Sequence, residues 1–478
     1  MKFIGLSKQI SRYPFIYAIV FIVSLAISSR LNFTQIIPVQ ICLILLAVVA
    51  IILIDNKAVF ACLFVFALGI FFFQLFNLAN SSHPELKCQS ATIDSVIKTS
   101  TNNLEFSITA DIGGRAVIKT NPNQPLGYKD KLKICLNKEL AIDPSYRNYL
   151  NSRYKTDFLV ETDKIELIQR GSGILRTFYD FADKISGTTE KLFPGDIGVL
   201  AKGLIIGQAS DFSKNFKDNL QKSGTTHLVA VSGYNVSIIT IALFQLIRNA
   251  YSRRAAIILS ISSLIIFTII TAATPSVLRA SIMGLAYIIA KIIGRQRSTF
   301  NSLSFAALAM LIFNPYVLWD IGFQLSFAAT AGLILGEGLF NFPNKTLPVL
   351  ALFLLLETTL AQIFTFPILA QNFGRLSLVA PLANLLILPF VPAAMILIAI
   401  SVLGFAIFQP IGIFIGGLAE VMLNYFSLII SGLGKLPFAT LRVDEFGWVA
   451  FTSSYVVILA IFIWAKALIR KNERSKAI

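Results

Sequence analysis

Hydrophobic residues occur in long runs over most of the chain, and one polar region interrupts them. Residues 15–29, 36–54 and 58–79 are apolar runs near the N-terminus, and a membrane-spanning helix needs roughly 20 such residues. Further apolar segments are centred near residues 264, 285, 306, 328, 358, 390, 423 and 457. With one more crossing after residue 224, the pattern predicts a polytopic α-helical membrane protein of about 11–12 spans.

The polar region, residues 85–170, consists of short alternating stretches. They are ATIDSVI, LEFSITADI, AVIKT, KLKICL and KIELI. Short strands separated by glycine and proline turns predict a small all-β domain, for which we expect an OB-like barrel. Direct DNA binding by this domain and a structural or docking role are both open, because the strands contain few aromatic residues.

Residues 171–223 predict amphipathic helices. Ile174, Phe178 and Phe181 recur at helical spacing with charged residues between them, and residues 196–222 repeat the pattern. Such helices commonly lie in the membrane interface, and the alternative is that they pack on the barrel. Gly224 is expected to end the second helix.

The net charge of +16 is distributed unevenly. Residues 85–170 hold 13 basic and 11 acidic residues, a net +2, so the other 28 basic and 14 acidic residues leave +14 elsewhere. Positive-inside anchoring and a polyanionic substrate both account for this excess. Basic residues before the first span and after the last one predict that both termini are cytoplasmic, which makes the β-domain extracytoplasmic.

Cysteine and histidine limit the chemistry of the chain, which has four of the former and two of the latter. Cys88 and Cys135 lie in the polar region, and we predict a disulfide between them in an oxidising compartment. A histidine-rich metal cluster needs more histidines, and no Cys-x-x-Cys pair occurs. No metal and no cofactor are therefore expected.

The stretch GTTHLVAVSGYNVSIIT, residues 224–240, has the pattern of an interrupted membrane helix. Its apolar run is broken at Ser232 and Gly233 and resumes only after Asn235. In hydrocarbon an unpaired backbone group is costly, so a broken helix survives where it is buried in protein or faces water. A flexible hinge in an ordinary span is the alternative interpretation.

His227 and Ser232 raise the question of a nucleophile and its base. No acidic residue lies nearby in sequence to orient the histidine, and the two would not share a face of a continuous helix. The sequence also has no GxSxG, HExxH or Walker A motif. We therefore predict no catalytic residues and no enzyme activity.

Polar side chains recur in four later apolar segments. Pro275 marks a turn before Arg279, and Asp320 is suited to cap a helix. The polar residues of interest in these segments are Arg279, Asp320, Gln324, Ser326, Gln362 and Asn384. One alone would indicate an interhelical hydrogen bond. Together they indicate a wet interior.

At this point the sequence resembles a known family. The run THLVAVSGYNVSII is similar to the signature of the ComEC competence proteins, the inner-membrane channels for DNA uptake in natural transformation. The similarity continues through AKGLIIGQ, TPSVLRA, NPYVLWDIGFQLSFAATAG, TLAQIFTFPILAQNFGRLS and APLANLLILPFVP. It covers nearly the whole chain, and the ordered set of motifs is specific although each motif alone is weak.

Two features depart from the family pattern. Tyr234 and Asn235 stand where the family often has Leu-His, so a histidine proposed to work there is absent. Many members also carry a C-terminal metallo-β-lactamase-like domain, whereas this sequence has no HxHxDH motif. If a nuclease acts in this system, we expect it to be another polypeptide.

The resemblance implies an inner-membrane channel for single-stranded DNA, and residues 224–478 would form the channel domain behind the three N-terminal spans of residues 1–84. The expected partners are single-stranded DNA, membrane lipids, and a separate DNA receptor, nuclease and cytoplasmic helicase or DNA-binding protein. The predicted path residues are His227, Ser232, Gly233, Asn235, Arg279, Asp320, Gln324, Ser326, Gln362 and Asn384. The alternatives are a secondary transporter of a small anion or lipid and a membrane scaffold for uptake partners.

Overall fold

The structure is a computed structural model. It describes residues 14–29, 57–80, 88–95, 98–100, 103–111, 115–120, 126–135, 140, 144–156, 158–162, 165–207, 212–229, 233, 235–236, 253–294, 298–336, 346–443 and 446–476. The chain forms two compact units. Unit 1 contains Met1–Tyr179 and Leu278–Phe323, and unit 2 contains Asp180–Val277 and Gln324–Ile478.

The fold is mainly helical. The helices are α1 Pro14–Ser28, α2 Lys57–Asn80, α3 Pro144–Tyr154, α4 Ile174–Leu192, α5 Gly195–Ile206, α6 Lys214–Ser223, α7 Thr226–Val229, α8 Arg253–Ile270, α9 Pro275–Ile293, α10 Thr299–Phe313, α11 Ile321–Gly336, α12 Leu347–Phe373, α13 Ala380–Ile387, α14 Val391–Ile407, α15 Gln409–Gly434 and α16 Trp448–Lys476. Two 3₁₀ turns, Pro315–Trp319 and Leu388–Phe390, precede α11 and α14. A helix occupies each of the eight apolar segments predicted after residue 250.

Four stretches in the described part of the chain are long and apolar enough to cross a membrane. They are Pro348–Phe373, Ala380–Ile407, Gln409–Gly434 and Trp448–Leu468, and six shorter apolar helices accompany them. These lengths fit the hydrocarbon core of a bilayer, so the chain has the build of a membrane protein. The predicted second span, residues 36–54, lies outside the described residues.

Unit 1 contains a small β-domain. Its strands are β1 Cys88–Ile93, β2 Lys98–Ser100, β3 Asn103–Ala110, β4 Arg115–Thr120, β5 Lys131–Cys135, β6 Leu159–Glu161 and β7 Ile165–Gln169. They form one sheet in the order β6-β4-β3-β1-β5-β7, with β2 paired to β3. Each of the five predicted strands is present, and β2, β6 and the helix α3 were not anticipated. The OB-like barrel stays a prediction.

Alternation of side chains gives this domain its core. On β3, Phe106 and Ile108 are fully buried, and Ile118 and Ile134 meet them from β4 and β5. Successive strand residues point to opposite faces, so every second residue enters the same core. The fully buried Asp130 is paired with Arg176 at 2.6 Å, which compensates the cost of burying its charge.

The predicted disulfide is confirmed. Cys88 and Cys135 are directly opposite in the β1–β5 ladder, and their sulfur atoms are 2.07 Å apart. The bond joins the start of β1 to the end of β5, across a sequence separation of 47 residues. Cys62, in α2, is a free thiol.

Helix α3 carries a cluster of tyrosines on the β-domain. The hydroxyls of Tyr146 and Tyr154 donate hydrogen bonds to Glu105 on β3, at 2.9 and 3.1 Å. Burial, together with the nearby carboxylate, raises the pKa of both tyrosines. Both therefore remain protonated donors at neutral pH, and they hold α3 against the sheet.

Unit 2 has a core built around α5. Leu200 and Leu204 are buried there against residues of α14 and α15 such as Ile398 and Phe426. The second predicted amphipathic helix is in fact two helices, because Gly207 adopts the left-handed conformation (φ 74°) and ends α5. The apolar face of α6 is buried in the same core, whereas Ile174 and Phe181 of α4 are exposed.

A two-stranded sheet fixes the direction of the helices in unit 2. Strand β8, Arg375–Ser377, follows α12, and β9, Thr440–Arg442, follows α15. They pair antiparallel, with Arg375 opposite Arg442. The C-terminal ends of α12 and α15 therefore lie on the same side of the unit, so the chain between them crosses the unit and returns.

We expect the disulfide to protect its two cysteines from alkylation and to stabilise the β-domain. With Cys42 and Cys62 replaced by alanine, a maleimide tag should attach only after reduction, and then twice. Replacing Cys88 and Cys135 by serine should lower the stability of the domain by about 4 kcal/mol in the chain-entropy model. Two tags on unreduced protein would show that the bond is absent.

Candidate polar junction in the membrane domain

Asn235 satisfies a helix end. Its buried amide donates a 3.3 Å hydrogen bond to the carbonyl of Leu204, in the last turn of α5. The last carbonyls of a helix have no partner within the helix, so a side-chain donor at that point stabilises the end. The predicted path residue Asn235 thus has a structural contact that links the interrupted stretch to α5.

The remaining residues of the interrupted stretch are described only in part. His227 lies in the one-turn helix α7, exposed, with Nδ1 3.1 Å from the carbonyl oxygen of Gly224. Gly233 is helical and half-buried. Ser232 lies outside the described residues, so its predicted place beside the path and its spacing from His227 stay predictions.

Just before that stretch, four chain segments of unit 2 meet, and we call this place the polar junction: Lys222, Gly224, Gln362, Ser377 and Ala380. The hydroxyl of Ser377 donates to the carbonyl of Lys222 at 2.7 Å. The side chain of Gln362 donates a short hydrogen bond to the carbonyl of Ser377. The end of α6, the middle of α12 and the loop before α13 are therefore joined through side-chain amide, hydroxyl and backbone groups.

Gly224 makes the junction possible. It ends α6 in the left-handed conformation (φ 71°), as predicted, and its N–H bonds the carbonyls of Leu220 and Gln221. A Cβ at this position would lie 2.5 Å from the Cβ of Ala380 and 2.8 Å from that of Ser377. Glycine is thus required both for the backbone conformation and for the close approach.

Two hydroxyls under the junction are fully buried. The side chains of Ser223 and Thr225 lie 2.7 Å apart, and Ser223 also donates to the carbonyl of Leu220. Buried polar groups that lack a partner are costly, and these two provide partners for each other. The interior near the junction is thus polar and internally hydrogen-bonded.

Asn384 lies one turn into α13, the helix that begins at Ala380. It is 7% exposed, and its Oδ1 accepts no hydrogen bond within the described part of the chain. A buried acceptor of this kind is a candidate contact for water or a polar solute. Of the predicted path residues, Asn384 and Gln362 are therefore the two that the structure associates with the junction.

In unit 1, Asp320 has a different role from the one the sequence indicated. Its Oδ1 accepts a 2.9 Å hydrogen bond from the backbone of Phe323, which confirms the predicted cap of α11. Its Oδ2 accepts a 3.3 Å hydrogen bond from the hydroxyl of Ser152 on α3. The side chain thus ties the β-domain to the helices of unit 1.

Neighbouring polar residues reinforce this tie. The amide of Asn314 donates to the carbonyls of Asn151 and Ser152, at 3.1 and 2.8 Å. The hydroxyl of Tyr316 donates to Asn77 of α2 at 2.8 Å. The sequence could not indicate these contacts, because the partners are separated by more than 150 residues.

The last predicted path residues are half-buried on their helices. Arg279 lies one turn after Pro275, the first residue of α9, with Nη1 3.6 Å from Sδ of Met283. Gln324 and Ser326 lie in the first turns of α11. Arg279 belongs to unit 1, and Gln324 and Ser326 belong to unit 2.

Sequence analysis missed Lys202. This lysine is 7% exposed within the apolar helix α5, and its ammonium group is paired with Glu190 of α4. A buried cation needs a partner of opposite charge, which the carboxylate provides. The signal was a single lysine in the run GVLAKGLII. No group of three or more potential metal ligands was found among the described residues.

Comparison with known proteins bears on residues that include this junction. The family profile described as "Competence protein" matches residues 204–468. ComE operon protein 3 of Bacillus subtilis (strain 168) is 30% identical over 260 residues, 54% of this chain and 32% of that protein. The uncharacterized protein YcaI of Escherichia coli (strain K12) is 24% identical over 284 residues, 57% of this chain and 37% of that protein.

The chain therefore spans about a third of the length of the curated relatives it matches. No solved structure matches significantly. The family profile nonetheless covers more than half of the chain, including most of unit 2 and the whole junction except its first two residues' upstream helix α5 start. The chain belongs to the competence protein family.

Proposed function

We propose that this protein carries single-stranded DNA across the inner membrane during natural transformation, through unit 2. The observation that carries the proposal is the polar junction. Gln362, Ser377 and the residues around Gly224 come from motifs far apart in sequence, and all lie within the region that the competence profile matches. Polar contacts of this density in a membrane domain are typical of a route for a polar solute.

The physical problem is charge. DNA carries one negative charge per nucleotide, and hydrocarbon strongly opposes such charges. A passage lined by neutral amides and hydroxyls, with few cations, lowers this barrier without trapping the strand. The side chains of Gln362, Ser377 and Asn384 have this neutral character, and Arg279 supplies a cation elsewhere in the domain.

The proposed orientation has both termini in the cytoplasm and the β-domain outside. The Cys88–Cys135 disulfide supports it, because such bonds persist in oxidising compartments. The basic residues that follow the last span support a cytoplasmic C-terminus. An OB-like β-domain would then dock on unit 1 from outside the membrane.

The proposed protein is a conduit and not an enzyme. A separate receptor would deliver the DNA, a separate nuclease would remove one strand, and a cytoplasmic helicase or DNA-binding protein would pull the other. The sequence supports this division because it contains no nucleotide-binding or nuclease motif.

A bulky side chain at Gly233 should block DNA entry. Gly233→Leu adds four carbon atoms at a half-buried position in the interrupted stretch. We expect transformation to fall to the level of a deletion strain, with normal amounts of protein in the membrane. Gly432→Leu is the control, because no atom lies within 4 Å of a Cβ added there. Normal transformation in the Gly233 variant would refute its place beside the path.

Gly224→Ala should disrupt the junction more than backbone strain alone explains. The control is Gly294→Ala, where φ is also left-handed (75°) but no atom lies within 4 Å of the added Cβ. The control should cost about 1–2 kcal/mol, and Gly224→Ala about 1–3 kcal/mol more because of overpacking. Thermal unfolding in detergent and transformation frequency are the measurements. Equal losses of stability would contradict the close packing at Gly224.

A further inference from the structure

A polar stripe runs along α15, apart from the junction. Glu420, Asn424, Ser427, Ser431 and Lys435 recur every three or four residues, so they occupy one face of the helix. From Glu420 to Lys435 the stripe rises about 22 Å at 1.5 Å per residue. It therefore extends over much of a membrane-spanning helix.

The other two faces of α15 have clear apolar partners. One face, with Ala419, Leu423 and Phe426, is fully buried in the core of unit 2. Another face carries Val421 and Leu428, 68% and 69% exposed, as expected for side chains that contact lipid. The polar stripe lies between these two faces, and it has no apolar role in the packing.

The stripe opens into a polar cavity of about 490 Å³ in unit 2. The lining includes Asp196, Asp218 and Asn219 on one side and Ser427, Ser431 and Lys435 on the other. Ser213, Asn215 and Lys435 at this cavity are exposed, so the cavity is accessible from the surface of the unit.

Glu420 lies at the inner end of the stripe. It is near the middle of α15, eleven residues from Gln409 and fourteen from Gly434. It is half-buried, and it makes no ion pair or hydrogen bond with any residue that the structure describes. A carboxyl group at this depth is costly unless water or a cation reaches it.

The charges around the stripe favour cations. Two carboxylates, Asp196 and Asp218, and one ammonium group, Lys435, line the cavity. The cavity also lies at the C-terminal end of α15, where the helix dipole carries partial negative charge. An anionic DNA strand would meet repulsion here, so this face is distinct from the proposed strand path.

The elements packed against α15 add few charges of their own. Helices α13 and α14 have no titratable side chains. On α5, Lys202 is paired with Glu190 and Asp196 lies at the cavity. On α6, Asp218 is paired with Lys222 at 2.7 Å and lies 3.6 Å from Arg375, while Lys214 and Lys217 are the other charges.

We propose that the polar face of α15 lines a water-filled, cation-selective vestibule that leads from the cavity to Glu420. Asn424, Ser427 and Ser431 provide oxygen atoms that replace part of the hydration shell of a small cation, and Glu420 provides the compensating charge. This site is independent of DNA transport, because it depends only on the stripe and the cavity.

Charged thiol reagents test the vestibule in the full-length protein. Cys42 and Cys62 are replaced by alanine, and single cysteines are placed at Asn424, Ser427 and Ser431 on the stripe and at Val421 and Leu428 on the lipid-facing side. Membrane vesicles are treated with cationic or anionic methanethiosulfonates. Stripe cysteines should react at least about tenfold faster than lipid-facing ones, because hydrocarbon excludes a charged reagent.

Reagent charge identifies the selectivity. The cationic reagent should react faster than the anionic one at Asn424→Cys, and Glu420→Gln should remove that preference. Glu357→Gln, which neutralises a carboxyl on α12, is the matched control and should leave the preference unchanged. Equal rates on both faces, or a preference for the anionic reagent, would overturn the proposal. Because these two results need no change at Glu420, a misfolded Glu420→Gln variant does not prevent the decision.

Discussion

Backbone groups in a membrane must find partners, and this constraint governs unit 2. An interrupted helix exposes N–H and carbonyl groups that hydrocarbon cannot satisfy. Here side chains satisfy them: Asn235 bonds the carbonyl of Leu204, and Ser377 bonds that of Lys222. The same residues that allow the chain to turn within the domain also concentrate polar groups there. An irregular backbone and a polar interior thus have one physical cause.

The constraint also explains how the units use their conserved-looking polar motifs differently. "NPY…D" in unit 1 satisfies helix ends while holding the β-domain, through Asn314 and Asp320. In unit 2, Gln362 and Ser377 satisfy loop carbonyls while leaving Asn384 with a buried acceptor. Polar residues of similar type therefore serve docking in one unit and, in the proposed function, a solute path in the other.

Features that depend on local rules could be predicted from the sequence. Apolar length located the helices after residue 250, and Gly224, Pro275 and Asp320 marked helix ends through their own backbone or side-chain chemistry. The disulfide followed from two cysteines in one polar region. The competence family followed from the order of the motifs, which the profile match confirms.

Features that depend on distant partners could not be predicted. Helix α3 has a low apolar content, and it is held by tyrosines that bond Glu105 on β3. The tie between Asp320 and Ser152 joins residues 168 positions apart. The stripe on α15 escaped attention for another reason, because its polar residues are single and spaced by a helical turn within an apolar run. Clustered polar motifs drew attention away from them.

The central claim is that the transported strand passes the polar junction. A DNA strand that carries a thiol-reactive group, stalled during uptake by a bulky end, tests it directly in cells with cysteine at Ser377 or Asn384 as the only free thiol. The account predicts covalent capture of the strand at these positions and none at Leu428, which is 69% exposed on the outer face of α15. Uptake that continues without capture at either junction position, or with equal capture at Leu428, would contradict it.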